Sequence, residues 1–264
     1  MTDGATSPDR EREDQMCHGD EATPPAPPGR PRLTSGSEIR LVSSDGNVFL
    51  AYQAVPRTHA AQSGVVILPD VRGLHGYYRE LAHRFAEAGI AALAIDYYGR
   101  TTEDDDRGAG FDGFAHVQLL KQEHTVADVR AAVDYLAAGG TRAIFTVGFC
   151  VGGAISWSQS AVDRWVAGAV GFYGRPGECR ELIPRMTAPL LVLAAGEDQL
   201  TSADEAREFD RELTSHGVKH TFVLYDGAPH SFFDDGLAEH ADACADAWRR
   251  VLAFVRRHTE EWAA

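Results

Sequence analysis

The chain has 264 residues, of which 44% are hydrophobic and 24% charged, with 25 Lys+Arg against 39 Asp+Glu and a formal net charge of -14. That length suits one large α/β domain with a substantial core, and the composition is that of an ordinary soluble globular protein, not a fibrous or disordered one. So strong an acidic balance repels polyanions and makes nucleic acid and anionic membrane surfaces poor partners.

Residues 1–36 carry six of the twelve prolines (Pro8, Pro24, Pro25, Pro27, Pro28, Pro31), many charges and little that is large and apolar. Such a stretch is expected to be a disordered tail preceding a domain over 37–264, because it buries too little to offset its ordering entropy. It also lacks the apolar core of a leader peptide, and no run approaches a membrane span, so a cytoplasmic location is expected. "EIRLV" and "VFLAYQAV" flank "SSDGN", whose Asp45-Gly46 pair signals a hairpin turn. Six near-continuous apolar runs follow: 64–70, 91–99, 143–149, 167–174, 189–197 and 220–227. Continuous rather than alternating runs are expected of parallel strands covered on both faces. Between them Tyr78, Leu81, Phe85 and Ala88, then Val126, Val129, Val133 and Leu136, recur at helical spacing. A last helix is expected from about Ala241 to Trp262, with Cys244, Trp248, Val251 and Val255 on one stripe. The alternation predicts an α/β fold with a mostly parallel, doubly wound sheet, an N-terminal antiparallel hairpin and helices on both faces. Chemistry in such sheets belongs to the loops at the strands' carboxyl ends.

One of those loops holds "GFCVGG", a G-x-Nuc-x-G elbow with cysteine as the candidate nucleophile. Cys150 is expected in a strained strand-to-helix turn, where the N–H of Val151 at the helix start faces an oxyanion and lowers the thiol pKa. The elbow requires an acid and then a histidine on later strand-end loops. Asp198 in "LAAGEDQL" and His230 in "DGAPHSFF" occupy those places, completing an acyl-transfer triad. His116, His124 and His220 lie near predicted elements and read as capping or solvated groups. "HSFFDD" lacks a convincing ligand set, so no metal is expected. The four cysteines, Cys17, Cys150, Cys179 and Cys244, show no CxxC spacing and imply no disulfide or zinc site. Cys244 reads as core, and Cys17 and Cys179 carry no assigned role. Arg100 reads as a structural link between loops, and 103–106 as a solvated acidic loop.

With these pieces in place, residues 37–264 resemble the dienelactone hydrolase family of α/β hydrolases. The resemblance rests on "LPDVRG", "AIDYYGR", "GFCVGG", "VGFYG", "GEDQL" and "GAPHSFF", in family order and at about family spacing. It implies Cys150 as nucleophile, His230 as base, Asp198 as its orienter, and an oxyanion hole from the N–H groups of Val71 and Val151. It further implies a cofactor-free hydrolase that opens a small, often carboxylate-bearing lactone or ester, of carboxymethylenebutenolidase type, and that works as a monomer or small homo-oligomer. The chain departs from the family in two places: Asp70 stands where the prototype has a glutamate contacting the resting cysteine, and Asp234 follows Phe233 where an arginine is expected. Arg72 and Arg107 are then the candidates for gripping a substrate carboxylate, while Tyr173 in "GFYG" lines the pocket or packs beneath it. The alternatives are a redox-responsive thiol protein, against which the lack of a resolving cysteine nearby in sequence counts, and a non-catalytic binding module on the same fold.

Overall fold

The computed structural model describes residues 17–57, 61–108, 110–162 and 165–263. Eight strands form one sheet in the order β1-β2-β4-β3-β5-β6-β7-β8. These are β1 (Thr34–Val42), β2 (Val48–Pro56), β3 (Ser63–Leu68), β4 (Ala91–Ile95), β5 (Ala143–Phe149), β6 (Gly168–Phe172), β7 (Leu190–Glu197) and β8 (His220–Pro229). The hairpin β1–β2 is antiparallel and β2 runs antiparallel to β4, whereas every pairing from β4 to β8 is parallel. The turn Asp45-Gly46 closes the hairpin as its residue types suggested, with Gly46 N–H donating to the Ser43 carbonyl.

Alternate residues of the central strands face opposite layers. Val65, Ile67, Phe145 and Val147 pack with Tyr78, Leu81 and Phe85 of α1 (Gly76–Glu87) and with Trp248 and Val251 of α6 (Ala241–Ala263). Val66, Leu68 and Ile144 face Val129, Val133 and Leu136 of α3 (Gln122–Ala138). Farther along that second layer, Leu190 and Val192 meet Trp157 of α4 (Val151–Gln159) and Phe209 and Leu213 of α5 (Ala203–Ser215). A short α2 (Gly113–Val117) precedes α3. Every residue of β4, β5 and β6 is buried, which is why their sequences read as unbroken apolar runs. No helix among the described residues is long and apolar enough to cross a membrane.

Two segments depart from the sequence expectation. The run 91–99 splits, because the Asp96 side chain accepts the Tyr98 N–H and starts a 3-10 turn over Tyr97–Arg100. The second departure concerns the expected tail. Residues 1–16 lie outside the described residues, but from Cys17 the chain lies against the domain, with Cys17 and His18 buried. The Trp248 indole donates to the Pro25 carbonyl at 2.9 Å, Thr23 N–H donates to Asp234 at 2.9 Å, and Asp235 N–H donates back to the Thr23 carbonyl at 2.8 Å. Prolines that cannot form a helix or a ladder still present carbonyls and rings to a pre-formed surface, so composition alone does not reveal this strap.

Candidate active site

The carboxyl ends of β3, β5, β7 and β8 bring the candidate residues together. β5 ends at Phe149, and Cys150 takes φ 55°, ψ -119° before α4 begins at Val151. Only the flanking glycines make this turn fit. A Cβ on Gly148 would overlap the Gly152 carbonyl, and one on Gly152 would overlap the carbonyls of Leu68 and Pro69. The first N–H groups of a helix have no intrahelical acceptor, and Val151 is the first residue of α4.

After β7, Asp198 divides its oxygens. Oδ1 accepts the N–H groups of Leu200 (2.7 Å) and Thr201 (3.3 Å), while Oδ2 lies 2.8 Å from His230 Nδ1. Its roles as turn residue and as histidine partner are therefore both present. The Asp198 and His230 side chains are 1% and 3% exposed. His230 Nε2 is buried with no oxygen or nitrogen partner, and its interaction is with the Cys150 sulfur. Ionisation of the two is linked. Burial opposes charge on His230, but the Cys150 thiolate and the Asp198 hydrogen bond outweigh it and raise the imidazole pKa. The Cys150 pKa is lowered, first by a hydrogen bond from the Cys17 thiol and then, against the effect of burial, by His230. Both shifts favour a thiolate beside an imidazolium.

Asp70 and Val71 follow β3 in a turn that three tyrosines hold. Tyr97 donates to the carbonyls of Pro69 and Asp70, Tyr98 donates to the Val71 carbonyl at 2.9 Å, and Asp70 N–H donates to Tyr78 Oη at 2.9 Å. Tyr77 donates to the Phe233 carbonyl and so ties this turn's helix to the His230 loop. The sequence places Tyr78 on a helix stripe and Tyr97 and Tyr98 in a strand run, and nothing in their spacing shows that these three hydroxyls converge on one turn. Asp70 is fully buried. Its carboxylate accepts Arg72 N–H at 2.8 Å and His18 N–H at 3.2 Å, and burial raises its pKa. It organises the loop and the strap and acts on Cys150 only through its charge.

The two arginines differ from each other. Arg72 donates to the His18 carbonyl at 2.7 Å and pairs with Asp20, so it engages the strap. Arg107 is closed inside its own loop by Asp96 at 2.8 Å, by the carbonyls of Asp104 and Asp106, and by the face of Phe111. A guanidinium held by an ion pair, two carbonyls and a ring fastens its loop. Tyr173, at φ 38°, lies 4.8 Å from the His230 ring between centroids, and its hydroxyl is 2.8 Å from His18 Nε2. It is thus part of the site wall. Two surface cavities of about 680 and 650 Å³ are lined by neither Cys150 nor His230. Among the described residues no group of three or more His, Cys, Asp or Glu is placed to hold a metal ion.

The model of the dienelactone hydrolase family matches residues 49–259. A Bradyrhizobium protein carrying the name probable 2-oxo-3-(5-oxofuran-2-ylidene)propanoate lactonase is 29% identical over 231 residues, covering 82% of this chain and 92% of that one. A Saccharolobus solfataricus protein named as a carboxymethylenebutenolidase is 27% identical over 254 residues, covering 81% of this chain and 96% of its own. Among solved structures, a Klebsiella pneumoniae chain named as a dienelactone hydrolase superposes with TM-score 0.76 at 24% identity, over 85% of this chain and 99% of that one. Brefeldin A esterase superposes with TM-score 0.69 at 14% identity, over 94% of this chain and 82% of its own, and so shares the fold. The match spans nearly all of the sheet and every strand end that carries a candidate residue: the chain belongs to the dienelactone hydrolase family, within the α/β-hydrolase superfamily, and is a hydrolase of that family's lactone and ester class.

Proposed function

We propose that Cys150, His230 and Asp198 form a catalytic triad that opens a small lactone or ester through an acyl-enzyme, without a cofactor. The observation that carries this reading is a cysteine held at φ 55° on a strand-to-helix elbow, beside a histidine whose other nitrogen is 2.8 Å from a buried carboxylate. The thiolate attacks the carbonyl carbon, and the oxyanion that develops is received by the N–H groups of Val151 and Val71. His230 gives its Nε2 proton to the departing oxygen. For a lactone that oxygen stays attached to the acyl group as the new hydroxyl or enol. His230 then takes a proton from water, which attacks the thioester and releases Cys150. Asp198 keeps the imidazole in the tautomer that presents Nε2 to the sulfur.

The chemistry of the relatives' names supports an unsaturated lactone bearing a carboxylate. Arg72, the cation beside the site, then meets that carboxylate when Asp20 and the strap give way. A reducing compartment such as the cytoplasm suits a free, ionised thiol.

Assays with a dienelactone and with p-nitrophenyl acetate test the reading. Cys150→Ala is expected to lose about 10³-fold or more in kcat, with hydroxylamine-sensitive acylation found on the wild-type cysteine by intact mass. Unaltered turnover in Cys150→Ala would overturn the assignment.

A further inference from the structure

The mechanism leaves one sulfur unused. Cys17 is 5% exposed, as is Cys150, and the ionisation of each thiol is governed first by the other. Its neighbour His18 fixes the position independently. The imidazole stacks on Tyr77 with centroids 3.7 Å apart, meets the ring of Phe149, the residue before Cys150, at 6.3 Å, and hydrogen-bonds Tyr173. The two remaining cysteines are placed differently. Cys179 donates to the Pro176 carbonyl at 3.6 Å and Cys244 to the Phe232 carbonyl at 3.2 Å, each within a hydrophobic cluster. Cys17 alone has the nucleophile's sulfur as its partner.

We propose that Cys17 is a resolving thiol, and that Cys17 and Cys150 form a reversible disulfide which locks the strap over the active site and silences the hydrolase. The proposal rests on the reading of Cys150 as the nucleophile. The oxidant is a hydroperoxide. The Cys150 thiolate attacks one peroxide oxygen, an S–O bond forms as the O–O bond breaks, and the leaving alkoxide or hydroxide takes a proton from the His230 imidazolium. Cys17 sulfur then attacks the sulfenic sulfur. An S–S bond forms, the S–O bond breaks, and the departing hydroxide leaves as water with the Cys17 proton. Two thiols and one hydroperoxide thus yield one disulfide, one alcohol or water, and one further water. A dithiol reverses the change by exchange.

The division of roles follows from the environment. Cys150, whose pKa is lowered, supplies the thiolate and is therefore the sulfur that attacks the peroxide first. Cys17 keeps its proton, because its hydrogen bond to Cys150, its burial and the charge of Asp70 all raise its pKa. Bond formation requires the sulfurs to close to about 2.05 Å. From Cys17 to Leu33 the strap forms no helix or strand, so it can move without breaking a ladder. Its fasteners are Arg72 to the His18 carbonyl and to Asp20, and Asp234 to Thr23. Asp234 is the acid standing where the family has an arginine, which gives that departure a physical use.

The test uses the full chain, reduced, freed of reductant and titrated with hydrogen peroxide. Hydrolysis of p-nitrophenyl acetate and peptide mass under non-reducing conditions are both followed. Wild type is expected to lose nearly all turnover, to gain a cross-linked pair of tryptic peptides spanning 13–32 and 143–164 that is lighter by two hydrogens, and to recover with dithiothreitol. Cys17→Ser, whatever its starting activity, is expected to lose turnover irreversibly as Cys150 passes to the sulfinic acid. Oxidation of wild-type Cys150 to sulfinic acid without the cross-link would overturn the proposal. So would equally reversible inactivation of Cys17→Ser. The peptide masses decide the disulfide even where the ester is not turned over, so failure of the hydrolase reading and failure of the switch are read separately.

Discussion

Two buried ionic clusters lie near the same sheet, and they differ in whether their hydrogen bonds are complete. At the β1–β2 turn, Arg100 donates Nε and Nη2 to the two oxygens of Asp128 at 2.7 and 2.8 Å and Nη1 to Asp45 at 2.7 Å, while Asn47 adds a bond to Asp128. Each oxygen of Asp128 has a partner, and the cluster ties the hairpin turn to α3. At the other strand ends, Asp198 is equally satisfied but His230 Nε2 is left with sulfur alone. A desolvated polar atom without an oxygen or nitrogen partner costs about 1–3 kcal/mol, and His230 Nε2 is such an atom on the ring whose other nitrogen is held by Asp198. Charge is common to both clusters, and the open valence at His230 separates the candidate site from the structural tie.

Breaking each cluster in turn sharpens that contrast. Asp198→Asn keeps the size of the side chain but permits the wrong imidazole tautomer, so kcat should fall by about 10²- to 10⁴-fold. Urea unfolding should meanwhile show a midpoint close to wild type, and a variant that unfolded early instead would assign Asp198 to the structural class. Asp128→Ala is expected to show the reverse. Removing the buried partner of the Arg100 guanidinium, which keeps only Asp45 and Ser43 on its other side, should cost about 1–3 kcal/mol in unfolding free energy, with kcat per folded molecule unchanged. The smallest effect is a displaced profile. Because the Cys150 pKa is lowered, its thiolate persists as pH falls below the free-thiol value of about 8.5 and disappears only as pH drops through the depressed value. Iodoacetamide labelling of Cys150 should therefore stay fast at neutral pH and below. Asp198→Asn, which weakens the imidazolium, should move the labelling midpoint upward. Cys179 and Cys244, whose thiols burial pushes up to about 12 and about 11, should remain unlabelled in the folded protein.

The legible parts of this molecule are those whose signal is local in the chain. Val65 to Leu68 and Ala143 to Phe149 read as buried parallel strands because both of their faces are covered. The elbow was legible because Gly148 and Gly152 are demanded by backbone contacts only a few residues away or in the adjoining strand end. Asp198 and His230 were legible through their order along the chain, since each follows a strand whose carboxyl end opens on the same side of the sheet. Arg100 was likewise read as structural, and its pairing with Asp45 and Asp128 bears that out.

What stayed hidden depends on contacts far apart in sequence. Cys17 is more than a hundred residues from Cys150, and a resolving cysteine is recognised by distance in space rather than in the chain. The strap's composition is that of a disordered tail, and its order comes from surfaces that exist only after the domain has folded: the Trp248 indole, Asp234, Arg72 and the Tyr77 ring. Likewise Arg107 offered a plausible carboxylate grip in one dimension but is enclosed by Asp96 in three. By itself the sequence determined the sheet, the elbow and the identity of the three candidate catalytic side chains, because periodicity, glycine sterics and strand order act locally. Only the tertiary structure decided which cations remain near the site, how the turn at Asp70 is held and which sulfur faces the nucleophile, because those depend on what long-range packing brings within hydrogen-bonding reach.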